Sequence, residues 1–401
     1  MKNRLAIFGG KKIRSKPMPK RFAFGKNEKN EIDKMISFYK NKGEDPKYSG
    51  LWENKFCSEF SKFMGKGQAD AVATGTGAIY VAMKSLELPP KSEVIISPVT
   101  CAGALSCITE QGHVPILVDS KRNSYNTDVE QVEKRITKKT KLIQITHAAG
   151  EPVNIEPIVN LAKSKNILVL EDCSQAIGAS INHKYVGTFG DVAAFSTMYR
   201  KNLAANSRSG IVYTTKGDKL FKKILAYGDR GKILWDKKLD LRDPKYALFP
   251  ALNWNTDEFS CAIGLANLKR LKQTNNKRNK FLKKIIKLIK NESRICEPYN
   301  YHDGFSPFYF PIFVNRKKIS CSKIEFAKAL KAEGIDLGEH YGCLVDTWPW
   351  AKKFMKDDFK AVNAKKARNK AFHLYLNENY GDQEAFDIIE AIKKIESHYI
   401  R

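Results

Sequence analysis

From residue 69 onward, short apolar runs alternate with stretches of helical period, and this alternation restricts the fold more than any other feature. Residues 69–74 read as a small-residue strand, and Gly75-Thr76-Gly77-Ala78 turns the chain into an apolar-periodic helix reaching Leu88. Strands follow over 93–97, 114–119, 141–147 and 167–171, separated by helices over 102–112, 128–136 and 156–164. A parallel neighbour needs a crossover of about a dozen residues, usually a helix, whereas a hairpin does not. The order therefore predicts an α/β protein with a mostly parallel sheet and helices on both faces.

Beyond this core the pattern changes. Strands are expected at 192–195 and 210–214, then two long amphipathic helices at 256–272 and 278–291. A strand at 308–314 and helices at 323–332, 363–374 and 384–397 have the mixed order of a smaller α+β lobe. The expected division is an N-terminal segment (1–56, with a helical pattern near 31–39), a large domain (57–272) and a small C-terminal domain (273–401).

The formal charge is +27, with 70 Lys and Arg. The lysines are scattered along helices, as at Lys280, Lys283, Lys284, Lys287 and Lys290, and no basic arm is formed. A solvated basic surface that draws in anionic small molecules fits this better than nucleic-acid binding. The eight cysteines include no Cys-x-x-Cys pair, so reduced thiols and no structural metal site are expected. No apolar run is long enough to span a membrane, and the first residues lack the apolar core of a signal peptide. A cytoplasmic protein is expected.

Two strand ends carry the chemistry. The run 166–170 stops on Glu171-Asp172, and a carboxylate at the mouth of a parallel strand is where α/β proteins place ligands. Val192-Ala193-Ala194-Phe195 leads to Ser196 and delivers Lys201 onto a loop. An acid and a lysine in this order suit pyridoxal phosphate, which needs a lysine for its Schiff base and a carboxylate opposite its ring nitrogen. The Gly75-Thr76-Gly77 turn suits a phosphate at a helix start, although it is neither a Walker loop nor a dinucleotide fingerprint. Plainer readings stand beside these: Asp172 as a helix cap, Lys201 as a surface lysine, Ser196 bonded to backbone, and Asn253 as a cap.

Leu170-Glu171-Asp172-Cys173-Ser174-Gln175-Ala176-Ile177-Gly178-Ala179, the Phe195-Ser196 pair ahead of Lys201-Asn202-Leu203, and Asn253-Trp254-Asn255 resemble the DegT/StrS-type sugar aminotransferases. This is a fold-type I pyridoxal-phosphate family, and the resemblance runs from Leu5 through the C-terminal helices. It implies Lys201 as the Schiff-base lysine and proton carrier, and Asp172 as partner of the pyridine nitrogen. Gln175 would lie near the ring oxygen, with Ser196, Thr76 and the Gly77 backbone on the phosphate. Asn253 would reach that phosphate from the neighbouring subunit, making the active unit a homodimer with shared sites. Lysine at position 201, where dehydratase relatives carry histidine, implies transamination from glutamate or glutamine to a keto-sugar. A nucleotide-linked sugar in surface-polysaccharide or amino-sugar biosynthesis is the expected acceptor. A smaller ketone (cyclitol or phosphorylated triose) and a non-catalytic binding protein on the same fold are the alternatives.

Several positions depart from the family pattern. Cys101 stands where a ring-stacking aromatic is usual, the loop Ala205-Asn206-Ser207-Arg208-Ser209-Gly210 replaces a glycine-rich segment, and Asn255 replaces an arginine. His147-Ala148-Ala149-Gly150 lacks the usual bulk. Arg208 and His147 are accordingly candidates for substrate contact.

Overall fold

The computed structural model describes residues 4–401. A seven-stranded mixed sheet forms the body, from β1 (Gln68–Val72), β2 (Glu93–Ile96), β3 (Val114–Leu117), β4 (Thr140–Thr146), β5 (Leu168–Asp172), β8 (Val192–Ser196) and β9 (Gly210–Thr214), the strands β6 (Ser180–Ile181) and β7 (Lys184–Tyr185) being a small hairpin between β5 and β8. The order is β1-β9-β8-β5-β4-β2-β3, with β9 antiparallel to both neighbours and the other pairs parallel. The apolar runs read from the sequence are these strands. Ile96, Leu142, Leu170 and Ala194 are fully buried from water, and each large aliphatic side chain so buried stabilises the fold by ~1.5–3 kcal/mol.

The helices α3 (Gly75–Ser85), α4 (Ala102–Glu110), α5 (Val129–Glu133) and α6 (Ile155–Ser164) are the crossovers, as the alternation required. Two helices went unread. α2 (Leu51–Phe63) buries Trp52, Phe56 and Phe60, and α7 (Asp218–Gly228) follows β9. α2 and α1 (Lys26–Lys42) both pack on α8 (Glu258–Lys269).

The long helix α9 (Leu271–Glu292) leads to a smaller lobe. Its antiparallel sheet has the order β10-β11-β13-β12, from β10 (Cys296–Pro298), β11 (Tyr309–Val314), β12 (Leu337–Gly338) and β13 (Ala371–Tyr375). α10 (Lys323–Ala332) and α12 (Asp382–Tyr399) complete it. The helix expected over 363–374 is corrected here: α11 (Val362–Lys370) stops short, and its last expected residues form β13. β13 pairs on both edges and Ala371, Phe372, His373 and Leu374 are all buried, so the apolar run serves a central strand. Packing does not follow chain order. Leu5 and Met18 join the small-lobe core, while Leu344, Val345 and Ala364 pack with Val94 and Ile96 of the large sheet.

Candidate active site

The carboxyl ends of β2, β4, β5 and β8 share one edge of the sheet, with the β1–α3 turn beside them. Register places Asp172 opposite Thr146 on one side and Ala194 on the other, so its side chain stands at the mouth of three adjacent strands. It is 2% exposed, accepts from the Ser174 N–H at 3.0 Å, and lies 3.4 Å from the Thr146 hydroxyl. Lys201 comes from the loop after β8 and is 9% exposed. Its Nζ sits over the Phe308 ring, 4.4 Å from the centroid. Desolvation lowers its pKa from the ordinary lysine value, and the charges of Asp172 and of the Cys101 and Cys343 thiols oppose that shift. Acid and lysine are therefore brought into one site.

The loop carrying Lys201 is held by a clamp that the sequence did not disclose. Arg21 donates to the carbonyls of Tyr199, Lys201 and Asn202, and through Nε to Glu378. Arg278, 1% exposed, donates to the same carboxylate and to Asn202 Oδ1 at 2.6 Å. Burial lowers Arg21, and lowers Arg278 to about 10, while Glu378 partly restores both.

Glu171, the other half of the acidic pair, is structural. Its Oε1 accepts from the Phe189 and Gly190 N–H groups and its Oε2 from Gly187 N–H, pinning the loop that feeds β8. Burial alone would raise its carboxyl, but the bond from His147 and these N–H groups hold it below the ordinary value. The expectation that His147 meets substrate is corrected: it is 0% exposed, and both ring nitrogens are engaged. Nδ1 accepts from Val153 N–H at 2.9 Å, which leaves the proton on Nε2, 3.2 Å from Glu171 Oε2. His147, Glu171 and Cys173 bring three ligand-type atoms together. The Glu171 oxygens are filled by N–H donors, and burial raises the Cys173 thiol far above its ordinary value, so the trio reads as packing.

At the β1–α3 turn, Thr74 caps α3 through its side chain, which takes the Gly77 N–H at 2.8 Å. The phosphate contact expected of Gly77 is thus spent on the cap, and Gly75 and Thr76 provide the first-turn N–H groups that lack an intrahelical acceptor. Gly75 must be glycine, because a Cβ there would lie 2.4 Å from Ser196 Cβ. Thr76 is exposed and Ser196 half-buried, with the Ser196 N–H donating to Ser174 Oγ at 3.0 Å. These residues form a small polar cradle at a helix start, which fits the phosphate of pyridoxal phosphate, and the desolvated Lys201 with buried Asp172 fits the rest of that group.

Gln175 Oε1 accepts from Ala149 N–H at 3.0 Å, and its Nε2 donates to the Tyr341 hydroxyl at 3.0 Å. Tyr341 and Phe308 border a cavity of about 1090 Å³ that also touches Arg21, Arg200, His340 and His373. Cys101 caps the start of α4; desolvation and Asp172 push its thiol up while Lys201 pulls it down. Arg208 is exposed, on a loop whose Gly210 packs against Thr74. Asn253 is also exposed, its Oδ1 accepting from Asn255 Nδ2 at 2.8 Å, and the adjoining Trp254 ring covers Gly77 of the same chain.

The profile of the DegT/DnrJ/EryC1/StrS aminotransferase family matches residues 28–393. The chain is 28% identical over 380 residues to the spore coat polysaccharide biosynthesis protein SpsC of Bacillus subtilis, covering 92% of this chain and 95% of that one. It is 27% identical over 283 residues to GDP-perosamine synthase of Caulobacter vibrioides, covering 70% and 74%. Among solved structures, an aminotransferase from Psychrobacter cryohalolentis superposes with a TM-score of 0.86 at 22% identity, covering 96% of this chain and 99% of that one. PseC of Helicobacter pylori, an aminotransferase of pseudoaminic acid biosynthesis, gives 0.82 at 21% identity over 96% and 100%.

Proposed function

The chain belongs to the DegT/DnrJ/EryC1/StrS aminotransferase family, and from that premise we propose that it moves an amino group from glutamate or glutamine to a nucleotide-linked keto-sugar. It is a pyridoxal-phosphate-dependent aminotransferase of fold-type I. The observation that carries the reading is the pairing of desolvated Lys201 with buried Asp172 at one sheet edge. The cavity of about 1090 Å³ walled by Phe308, over whose ring Lys201 Nζ sits, is large enough for a nucleotide-sized substrate.

Pyridoxal phosphate, when bound, supplies an electron sink and a carbonyl carbon to which amines attach. Lys201 would be the amine that holds the group in the resting enzyme, and its Nζ would carry the proton at the amino-bearing carbon of the substrate. Desolvation lowers its pKa from the ordinary lysine value, which favours the neutral amine that accepts a proton. Asp172, held by Ser174 N–H at 3.0 Å, would be the carboxylate partner of the ring nitrogen. Thr76, Ser196 and the first turn of α3 would hold the phosphate, Gln175 would lie on the ring-oxygen side, and Asn253 would be contributed across a homodimer. Arg208, exposed beside the phosphate turn, meets an anionic group of the substrate. No helix among the described residues is long and apolar enough to cross a membrane.

The test is to load the pyridoxamine form and add ketones, following return of the aldehyde absorbance. Nucleotide-linked keto-sugars should restore it. Return with cyclitol or triose ketones alone would replace the acceptor class.

A further inference from the structure

A second cleft lies away from Lys201, at the junction of the two lobes, with a volume of about 930 Å³. Three elements build it. The turn between β3 and α5 supplies Lys121 and Arg122, with Asn123 at its tip in a left-handed conformation (φ 55°). The end of β11 supplies Arg316 and Lys317 on a short 3-10 turn, fixed by Asn315 accepting from Lys317 N–H at 3.2 Å. The C-terminal half of α11 supplies Lys366 and Lys370.

Six cations thus face one concavity, and among the described residues the only acid on its wall is Glu297. Among the described residues Lys121 alone of the six has an ion-pair partner, the buried Glu151 at 3.1 Å. One cation at a helix C-terminus is ordinary, because it offsets the helix dipole. Cations from three elements gathered round a concavity repel one another and gain stability from an anion placed between them. Two guanidinium forks with lysines match the oxygens of a phosphate chain, and the volume suits a small ligand. Phe313 is the only aromatic on the wall, too little to form a stacking track for nucleic acid.

We infer that this inter-lobe cleft is a second ligand site, separate from the aminotransfer site, which takes a di- or polyphosphate group. The inference does not depend on the acceptor chosen at Lys201.

The test uses the holoenzyme with inorganic tripolyphosphate and, in parallel, a nucleoside diphosphate, titrated calorimetrically at fixed ionic strength. The triple variant Arg316→Ser, Lys366→Ser, Lys370→Ser should weaken tripolyphosphate about tenfold or more, with aminotransfer unchanged. A charge-matched control, Lys280→Ser, Lys287→Ser, Lys290→Ser on α9, should change it by less than about twofold. Loss for both ligands assigns the site to the phosphate chain itself, and loss for the nucleotide in excess of tripolyphosphate assigns it to nucleotides. Equal weakening in cleft and control variants, or none in the cleft variant, overturns the inference.

Discussion

Arg21 gathers the carbonyls of Tyr199, Lys201 and Asn202 while its Nε and the buried Arg278 share Glu378. A lysine that must both occupy and leave a reacting carbon needs a fixed backbone, since misplacement by about 1 Å can cost on the order of a hundredfold. Arg21→Lys keeps a charge but loses the planar fork that spans these carbonyls. Its expected effect is a fall in kcat of roughly tenfold, the worth of one or two such bonds, with the thermal midpoint little changed. Steady-state kinetics beside a melting curve checks this; an unchanged kcat would remove the clamp from the account. His147 shows how residue-scale reading goes astray. A histidine after a strand end resembles a substrate ligand in sequence, yet Val153 and Glu171 absorb both of its nitrogens.

At the scale of elements, legibility follows the range of the interactions. The strand over 210–214 and the helix over 323–332 match the sequence reading because local pattern and burial agree there. β13 was merged with α11 because a central strand buried on both faces has no period of its own. α2 was visible in principle, since Trp52, Phe56 and Phe60 recur every four residues, but it follows a stretch rich in Lys, Pro and Gly. Lys201 and Asp172 could be found because strand ends announce them, whereas Arg21 and Glu378 meet across more than 350 residues of chain, |i−j| = 357.

β1 also carries a testable charge. Asp70, desolvated and close to Asp229, has its pKa raised to about 8. An unfolded aspartate titrates near 3.9, so the folded state holds an extra proton between about pH 4 and pH 8. That contribution to stability is present at low pH and is lost as pH rises through the folded pKa. Wild-type protein should therefore lose stability between about pH 4 and about pH 8, and Asp70→Asn should flatten the dependence, as read from urea midpoints. Parallel slopes for the two proteins would contradict the raised pKa.

At the scale of the whole molecule, the lobes are interleaved. Leu5 and Met18 anchor the start of the chain in the small lobe, and residues 344–367 return to the large one. The cavity bordered by Phe308 and Tyr341 therefore lies where both lobes and residues 17–24 meet. Asn253, exposed on its own protomer, is expected to complete a neighbour's phosphate site. Mixing inactive Lys201→Ala with Asn253→Ala protein under subunit exchange should restore about a quarter of wild-type activity, since half the dimers are mixed and each rebuilds one intact site. No recovery in demonstrably mixed dimers would place Asn253 outside the site.

The most direct test of the central claim is borohydride reduction of the holoenzyme followed by peptide mass mapping. The account predicts one phosphopyridoxyl group, on Lys201 Nζ, and its loss when glutamate is added before the borohydride. A label on any other lysine, or none with bound cofactor present, would contradict it.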